Sequence, residues 1–202
     1  MNKAQIHALF PTAVMSFPLD NPVTELELKT IQGLDYHENH GNRTSDNNHV
    51  FDLKALSRLG DFATECLNQY VRSVLAPSTD VQVYVTQSWT NCTKGTEFHH
   101  IHDHSNSFLS GVLYVESNKY DKIQFHTPHS QRMFKIPTNE FNQFNSDTWW
   151  LPAEKNSIVI FPSWMVHEVP VTRRDTDRIS LAFNSFIKGT VGDRNALTEL
   201  VI

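Results

Sequence analysis

Four of the chain's 11 histidines lie within six positions, in the segment EFHHIHDH at 97–104. Side chains two residues apart share a face of a strand, so His100, His102 and His104 are expected to project together, with His99 and Asp103 on the opposite face. Neutral imidazoles at this spacing can hold one metal ion from adjacent directions if a further ligand comes from elsewhere. The segment therefore predicts part of a metal site.

Two downstream segments contain residues that can complete such a site. His167 follows an apolar strand in FPSWMVHEVP and is a candidate third ligand; the alternative is a histidine satisfied by a backbone carbonyl. Arg178 and Ser180 share a strand face in DRISLAF. A buried guanidinium is costly unless it meets an anion, and it binds a carboxylate with two hydrogen bonds. The pair predicts a carboxylate site, with a structural ion pair or exposure of Arg178 to solvent as the alternatives.

The elements that must position these residues are read from hydrophobic periodicity. Apolar residues at three- and four-residue steps over 52–75 predict a packing helix that ends before Pro77, and Asn21-Pro22 predicts the start of a short helix over 23–33. The polar segment 35–49 predicts a loop. After position 80 the period changes to two, which predicts strands in VQVYVTQSW, FLSGVLYV, KIQFHT, SIVIF and RISLAFNSF. The sequence is therefore expected to be mainly β, a jelly roll with N-terminal packing helices.

The 202 residues suit a single domain over 1–202, with an N-terminal strand and helices at 1–79, a barrel core at 80–188 and a tail at 189–202. The net charge of −5 gives no strong nucleic-acid signal. Two cysteines without a C-x-x-C motif favour a reducing, cytoplasmic setting. We expect neither a signal peptide nor a transmembrane segment, and the sequence carries no signal for the oligomeric state.

Five segments together resemble a known family: LFPTAV, SWTN, HDHSNSFLSGVLYV, FPSWMVHEVP and RISLAFN. They look like the iron(II)- and 2-oxoglutarate-dependent dioxygenases, and more narrowly like the 2-oxoglutarate–Fe(II) oxygenases of bacteria and marine phages, whose pattern is roughly H-x-H-x-x-S-x-x-S-G. The resemblance implies an oxidoreductase with a double-stranded β-helix, a cupin-like fold.

The resemblance also implies roles for particular residues. Because Ser110-Gly111 sets the register of the pattern, Fe(II) would be bound by His102, His104 and His167. Arg178 and Ser180 would hold the distal carboxylate of 2-oxoglutarate. Some members place an asparagine against the cosubstrate at a position like that of Asn91, and Tyr114 would similarly bond a cosubstrate carboxylate.

The chain departs from the superfamily at position 104, where histidine stands in place of the usual Asp or Glu. Two alternatives follow. His100 and His102 could form the ligand pair, or a bulge could turn Asp103 inward. Unperturbed imidazoles would lose a metal near pH 6 because protons compete for the same nitrogens.

The implied reaction is hydroxylation of an organic or protein substrate by O2, with release of succinate and CO2. One alternative is a non-enzymatic, cupin-like metal-binding module; another is a three-histidine iron dioxygenase that does not use 2-oxoglutarate. The long segment 127–150 is a candidate lid, because long irregular segments are often binding loops. Its aromatic residues could line a substrate groove: Phe134, Phe141, Phe144, Trp149 and Trp150.

Overall fold

A computed structural model describes residues 4–127, 136–173 and 176–202. Its helices are α1 (Glu25–Gln32) and α2 (Ser57–Tyr70), with 3-10 turns before α2 and a π-helical turn, Val71–Leu75, after it. Its strands are β1 (Met15–Pro18), β2 (Tyr36–Asn39), β3 (Asn42–Ser45), β4 (Val81–Thr93), β5 (His99–His102), β6 (Leu109–Glu116), β7 (Lys122–His126), β8 (Thr148–Pro152), β9 (Ser157–Pro162), β10 (His167–Val169), β11 (Arg178–Val191) and β12 (Leu200–Val201).

The strands form two antiparallel sheets. The large sheet has the order β1-β9-β6-β11-β4-β3-β2, with β12 beside the far end of β11, and the small sheet has the order β5-β10-β7-β8. Alternate residues of the large sheet contribute to two separate cores, as strand geometry requires. The mainly β architecture predicted from the sequence is confirmed.

The inner core fills the space between the two sheets and includes Tyr114, Val159 and Phe161 from the large sheet with Ile123 and Phe125 from the small one. The outer core lies between the large sheet and the helices. Its members include Leu59, Ala63, Leu67, Leu113, Ile158, Ile160, Leu181 and Phe183. Because the central strands are buried on both faces, their sequences are almost continuously apolar.

The helix α1 begins two residues later than Asn21-Pro22 indicates. Thr24 is its N-cap, and Glu27 bonds back to the Thr24 backbone, so that a capping box rather than the proline sets the start. The helix predicted over 52–75 is present as α2 with its flanking turns. Among the described residues, no helix is long and apolar enough to cross a membrane.

The prediction of a loop over 35–49 is wrong, because β2 and β3 form a hairpin there that extends the large sheet. Gly41 permits its turn with a φ of +94°. Arg43 and Thr44 of β3 pair with Cys92 and Asn91 of β4. The hairpin has no apolar alternation, since its inner face continues a polar part of the sheet, so periodicity could not reveal it.

Candidate active site

A narrow pocket opens between the two sheets and contains every side chain singled out above as a ligand or anion-binding group except His100, Asp103 and Tyr114. The lining residues are Trp89, Asn91, His99, His102, His104, Ser110, Gly111, Val112, Ile123, Phe161, His167, Val169, Arg178, Ser180 and Ala182. None of these described lining residues is acidic.

Three imidazoles meet at one end of this pocket. His102 on β5 pairs directly with His167 on β10, and their ring centroids are 4.3 Å apart. His104 lies two residues beyond the end of β5, where its backbone N–H donates to the carbonyl of Ser163 at 3.0 Å. One ring nitrogen from each histidine lies within 4.8 Å of the other two. This is the spacing of a set of groups that could share one metal ion.

Hydrogen bonds determine the tautomers of two of these rings. Nδ1 of His102 lies 2.7 Å from the carbonyl oxygen of His100, and Nδ1 of His167 lies 2.8 Å from that of Met165. A carbonyl oxygen only accepts, so each Nδ1 carries the proton and each Nε2 keeps its lone pair. A protein acceptor on one nitrogen and a free lone pair on the other is the usual arrangement of a metal-binding histidine.

His104 is held by a side chain instead of a carbonyl. It hydrogen-bonds Asn184, which is on the pocket-facing side of β11. Ser110 donates to Oδ1 of Asn184 at 2.8 Å, and Ser110 and Ser107 both bond the hydroxyl of Ser163, at 2.8 and 2.6 Å. These contacts involve both serines of the S-x-x-S-G pattern, and they connect the turn after β5 to β6, β9 and β11.

Burial lowers the pKa of all three imidazoles. It lowers the pKa of His167 to about 3 and that of His104 to about 4, and in each case the positive charge of a neighbouring imidazole adds to the effect. The pKa of His102 is also lowered, mainly by burial. The rings are therefore neutral at pH 7, which is the form that binds metals.

The alternation expected along 99–104 is wrong at His99, which lines the pocket with its ring stacked on His102 at 4.4 Å. In the pairing of β5 with β10, His102 is opposite His167 but His99 is opposite Val169, so three steps on β5 match two on β10. This β-bulge changes which residues of β5 face inward. Asp103, the alternative ligand, is exposed and belongs to no group of potential metal ligands among the described residues.

His100 belongs to a second group of three imidazoles, together with His99 and His102. The two groups share His102, so they are alternative ligand sets and not two independent sites. Nδ1 of His100 is buried without a hydrogen-bond partner among the described residues. The set with His104 and His167 differs in that every ring has one nitrogen bonded to the protein, and for this reason we favour it.

The other end of the pocket contains a buried arginine. Arg178 is only 2% exposed, and its guanidinium carbon lies 5.3 Å from the centre of the Tyr114 ring. Ser180 lies directly between Asn91 on β4 and Tyr114 on β6. Burial raises the pKa of Tyr114 to about 12, and the charge of Arg178 only partly offsets this. The tyrosine therefore keeps its proton at neutral pH, when it can donate a hydrogen bond.

Aromatic side chains not singled out from the sequence enclose the three imidazoles. Trp89 stacks on His104 with centroids 5.9 Å apart, and Phe161 meets His167 edge-on at 4.8 Å. Trp89 is two residues from Asn91 on β4, and Asn184 is four from Ser180 on β11, so strand parity was the signal that could have identified both.

The candidate lid lies partly outside the described residues, as does Phe134. Phe141 and Phe144 are exposed, and the two tryptophans lie on the edge strand β8. Trp149 pairs with Phe125, which pairs with His167, so Trp149 is in line with the candidate ligands on the inner face. Trp150 is on the outer face with Lys122 over its ring. Only Trp149 of these two therefore stays a candidate for a groove wall.

Residues 87–184 match a family model described as "Putative 2OG-Fe(II) oxygenase". A search of curated proteins finds no match.

Several solved structures share the fold over most of the chain. HygX from Streptomyces hygroscopicus, with nickel, 2-oxoglutarate and hygromycin B bound, is 12% identical with a TM-score of 0.59, covering 86% of this chain and 82% of HygX. A Pseudomonas putida prolyl-4-hydroxylase is 13% identical with a TM-score of 0.54, covering 86% and 92%. The α-ketoglutarate-dependent epimerase SnoN of nogalamycin biosynthesis is 10% identical with a TM-score of 0.60, covering 88% and 81%. Identities this low show a shared fold, here the double-stranded β-helix, and the resemblance drawn from the sequence is confirmed.

Proposed function

Because residues 87–184 match the family model of the 2-oxoglutarate–Fe(II) oxygenases, we propose that the chain is a 2-oxoglutarate-dependent hydroxylase. In this proposal His102, His104 and His167 bind Fe(II), and Arg178 with Ser180 holds the distal carboxylate of 2-oxoglutarate. The substrate is an organic molecule or a protein side chain, hydroxylated by O2 with release of succinate and CO2.

One observation carries the proposal: a single pocket has three neutral imidazoles at one end and a buried arginine at the other, with no acidic side chain among its described lining residues. A simple metal-binding module has no use for the arginine, and a simple anion site has no use for the imidazoles. A metal-chelating dianion uses both. The donor set fits Fe(II), and three imidazoles suit Zn(II), Ni(II) and Cu(II) as well.

When bound, iron with 2-oxoglutarate supplies the activation of O2 and the two electrons that oxidative decarboxylation releases. The residues of this chain provide binding and shape. Arg178 offers a planar fork to the distal carboxylate, and Tyr114, still protonated, can donate to a cosubstrate oxygen. Asn91 offers an amide N–H. Trp89 and Phe161 shield the metal end from water, which strengthens every polar contact there.

The setting proposed for this activity is cytoplasmic and reducing. Both cysteines are buried and free, Cys66 among the helices and Cys92 on β4. Burial raises the pKa of the Cys66 thiol to about 12 and raises that of Cys92, so neither is a reactive thiolate. The whole chain is proposed to act as one domain, since the helices complete the outer core of the sheet that contains the pocket.

The experiment is a cosubstrate assay that needs no known substrate. Purified protein is incubated with Fe(II), ascorbate, O2 and 2-oxoglutarate, and succinate is measured. Uncoupled turnover is expected for the wild-type protein and for Asp103→Ala, and its loss is expected for His167→Ala. Calorimetry with the Ni(II)-loaded protein should show 2-oxoglutarate binding. A protein that binds metal but no 2-oxoglutarate would instead support the metal-binding module or the three-histidine dioxygenase.

A further inference from the structure

Four polar side chains from four neighbouring strands form one row across the inner face of the large sheet. Thr44 on β3 pairs with Asn91 on β4, Asn91 with Ser180 on β11, and Ser180 with Tyr114 on β6. Three of these residues already have a role in the proposed function. Thr44 does not, and it lies on the hairpin that the sequence did not reveal.

Hydrogen bonds connect Thr44 to Asn91 in a defined direction. The amide Nδ2 of Asn39 donates to Oγ1 of Thr44 at 3.1 Å, and Oγ1 of Thr44 donates to Oδ1 of Asn91 at 2.9 Å. A hydroxyl has one proton, and Asn39 can only donate through its Nδ2. The hydroxyl proton therefore goes to Asn91, so the carbonyl oxygen of the Asn91 amide lies towards Thr44. The N–H groups of the Asn91 amide remain for the pocket.

The direction matters because the two ends of an amide have almost the same shape. Steric fit alone would let Asn91 present either its carbonyl oxygen or its N–H groups to a bound molecule. A carbonyl oxygen would repel a carboxylate, whereas an N–H group would donate to it. The pocket end beside Asn91 also contains Arg178 and Ser180, which suit an anion.

We propose that Thr44 is a positioning residue: with Asn39 behind it, it orients the Asn91 amide so that N–H faces a carboxylate of the bound cosubstrate. This inference rests on the proposed function, since it takes the pocket to hold 2-oxoglutarate. The Thr44 hydroxyl is not needed to hold the hairpin in place. Backbone pairing joins β3 to β4, and Nη2 of Arg43 contacts Sγ of Cys92 at 3.2 Å.

The test compares Thr44→Val, which keeps the shape but lacks the hydroxyl, with Thr44→Ser, which keeps the hydroxyl. Calorimetry measures 2-oxoglutarate affinity in the Ni(II)-loaded proteins. Thr44→Val is expected to weaken binding about tenfold, on the order of one hydrogen bond to a charged group. Thr44→Ser is expected to bind like the wild type, and the Ni(II) affinity of both variants should stay unchanged.

A double-mutant cycle separates this role from a structural one. If Thr44 acts through Asn91, then Thr44→Val should cause no further loss of 2-oxoglutarate affinity in a protein that already has Asn91→Ala. An equal loss in both backgrounds would overturn the inference, and so would a Thr44→Val protein that binds as tightly as the wild type. Arg178→Ala and the wild type distinguish a failure of this inference from a failure of the proposed function. If it abolishes binding while Thr44→Val has no effect, only the positioning role is wrong; if the wild type itself binds no 2-oxoglutarate, the proposed function is wrong and this inference with it.

Discussion

At the scale of single residues, the histidines differ in what their second nitrogen contacts. His102 and His167 each donate Nδ1–H to the carbonyl two residues earlier, a contact that any strand histidine could make. His104 contacts Asn184, which is itself held by Ser110. Asn184 thus orients the ring at the position where the sequence resemblance implies a carboxylate. With three neutral ligands, a bound Fe(II) would keep its full charge of about +2, which favours a dianionic cosubstrate.

The ligand set makes the first prediction. His104→Ala should weaken Fe(II) or Ni(II) binding more than about 100-fold, beyond what the loss of a supporting hydrogen bond costs. Asp103→Ala is the matched control, since its exposed side chain lies beside the same ligands without facing them. Calorimetric titration with the metal ion measures the metal affinity of both variants. If Asp103→Ala abolishes binding and His104→Ala is tolerated, the site is a two-histidine, one-carboxylate triad; loss on His100→Ala instead would support the set with His99.

The anion end makes the second prediction. Arg178→Ala should weaken 2-oxoglutarate binding by at least about 2 kcal/mol, roughly 30-fold, because it removes one member of a buried charge pair. Arg178→Lys should lose less but not recover fully, since an ammonium cannot make the bidentate contact. The Ni(II) affinity of both variants should stay close to that of the wild type. An unchanged affinity for 2-oxoglutarate in Arg178→Ala would remove the arginine from the cosubstrate site.

At the scale of the elements, close packing of the large sheet explains the glycine of the S-G pair. A Cβ built on Gly111 in β6 would clash with Cζ of Phe183 on β11 and would lie 2.7 Å from Cδ1 of Ile160 on β9. Phe183 is fully buried and pairs with Gly111 across the two strands. The adjacent Ser110 faces the pocket, so this packing holds a supporting residue of the site in position.

Gly111→Ala should therefore destabilise the fold by about 1–3 kcal/mol, the usual cost of overpacking a core. Chemical denaturation at pH 7 measures the free energy of unfolding. Phe183→Leu in the same chain should recover part of the loss, because the shorter side chain vacates the space that the new methyl group needs. An unchanged free energy of unfolding in Gly111→Ala would mean that β6 and β11 can separate more easily than their packing indicates.

At the scale of the whole molecule, enclosing the imidazoles between two sheets has a cost at low pH. Burial lowers the pKa of His167 to about 3, from 6.5 in an unfolded chain. At pH values between these two pKa values, the imidazole is protonated in the unfolded chain but not in the folded protein. The free energy of unfolding therefore rises with pH through this window and no longer changes above it. Because the pKa values of the folded imidazoles are lowered, protons should compete with a metal for them at a lower pH than the value near 6 expected from unperturbed histidines.

The metal-free protein should show this cost directly. His167→Gln removes the buried imidazole, so its melting temperature relative to the wild type should rise as the pH falls from 7 towards 4. Taking the difference between the two proteins cancels the carboxylates that titrate in the same range. His7→Gln, at an exposed histidine, is the control. A constant difference for His167→Gln would mean that the imidazole is accessible to protons in the folded protein.

The sequence by itself determined the features that depend on neighbours along the chain. Period-two runs predicted the strands, the three- and four-residue stripe predicted α2, and strand parity put Arg178 and Ser180 on one face of β11. The motifs around 102–111, 161–170 and 178–184 carried the resemblance that the family model confirms.

Only the tertiary structure decided what depends on pairing between distant segments. His99 faces the pocket because β5 bulges against β10, which lies over 60 residues away in the chain, and alternation within β5 has no information about that register. The hairpin of β2 and β3 is polar because its inner face continues the polar row of β4 and β11, so it shows no hydrophobic period. Thr44 gains its partner Asn91 only through the antiparallel pairing of β3 with β4, a contact across 47 residues that local sequence cannot encode.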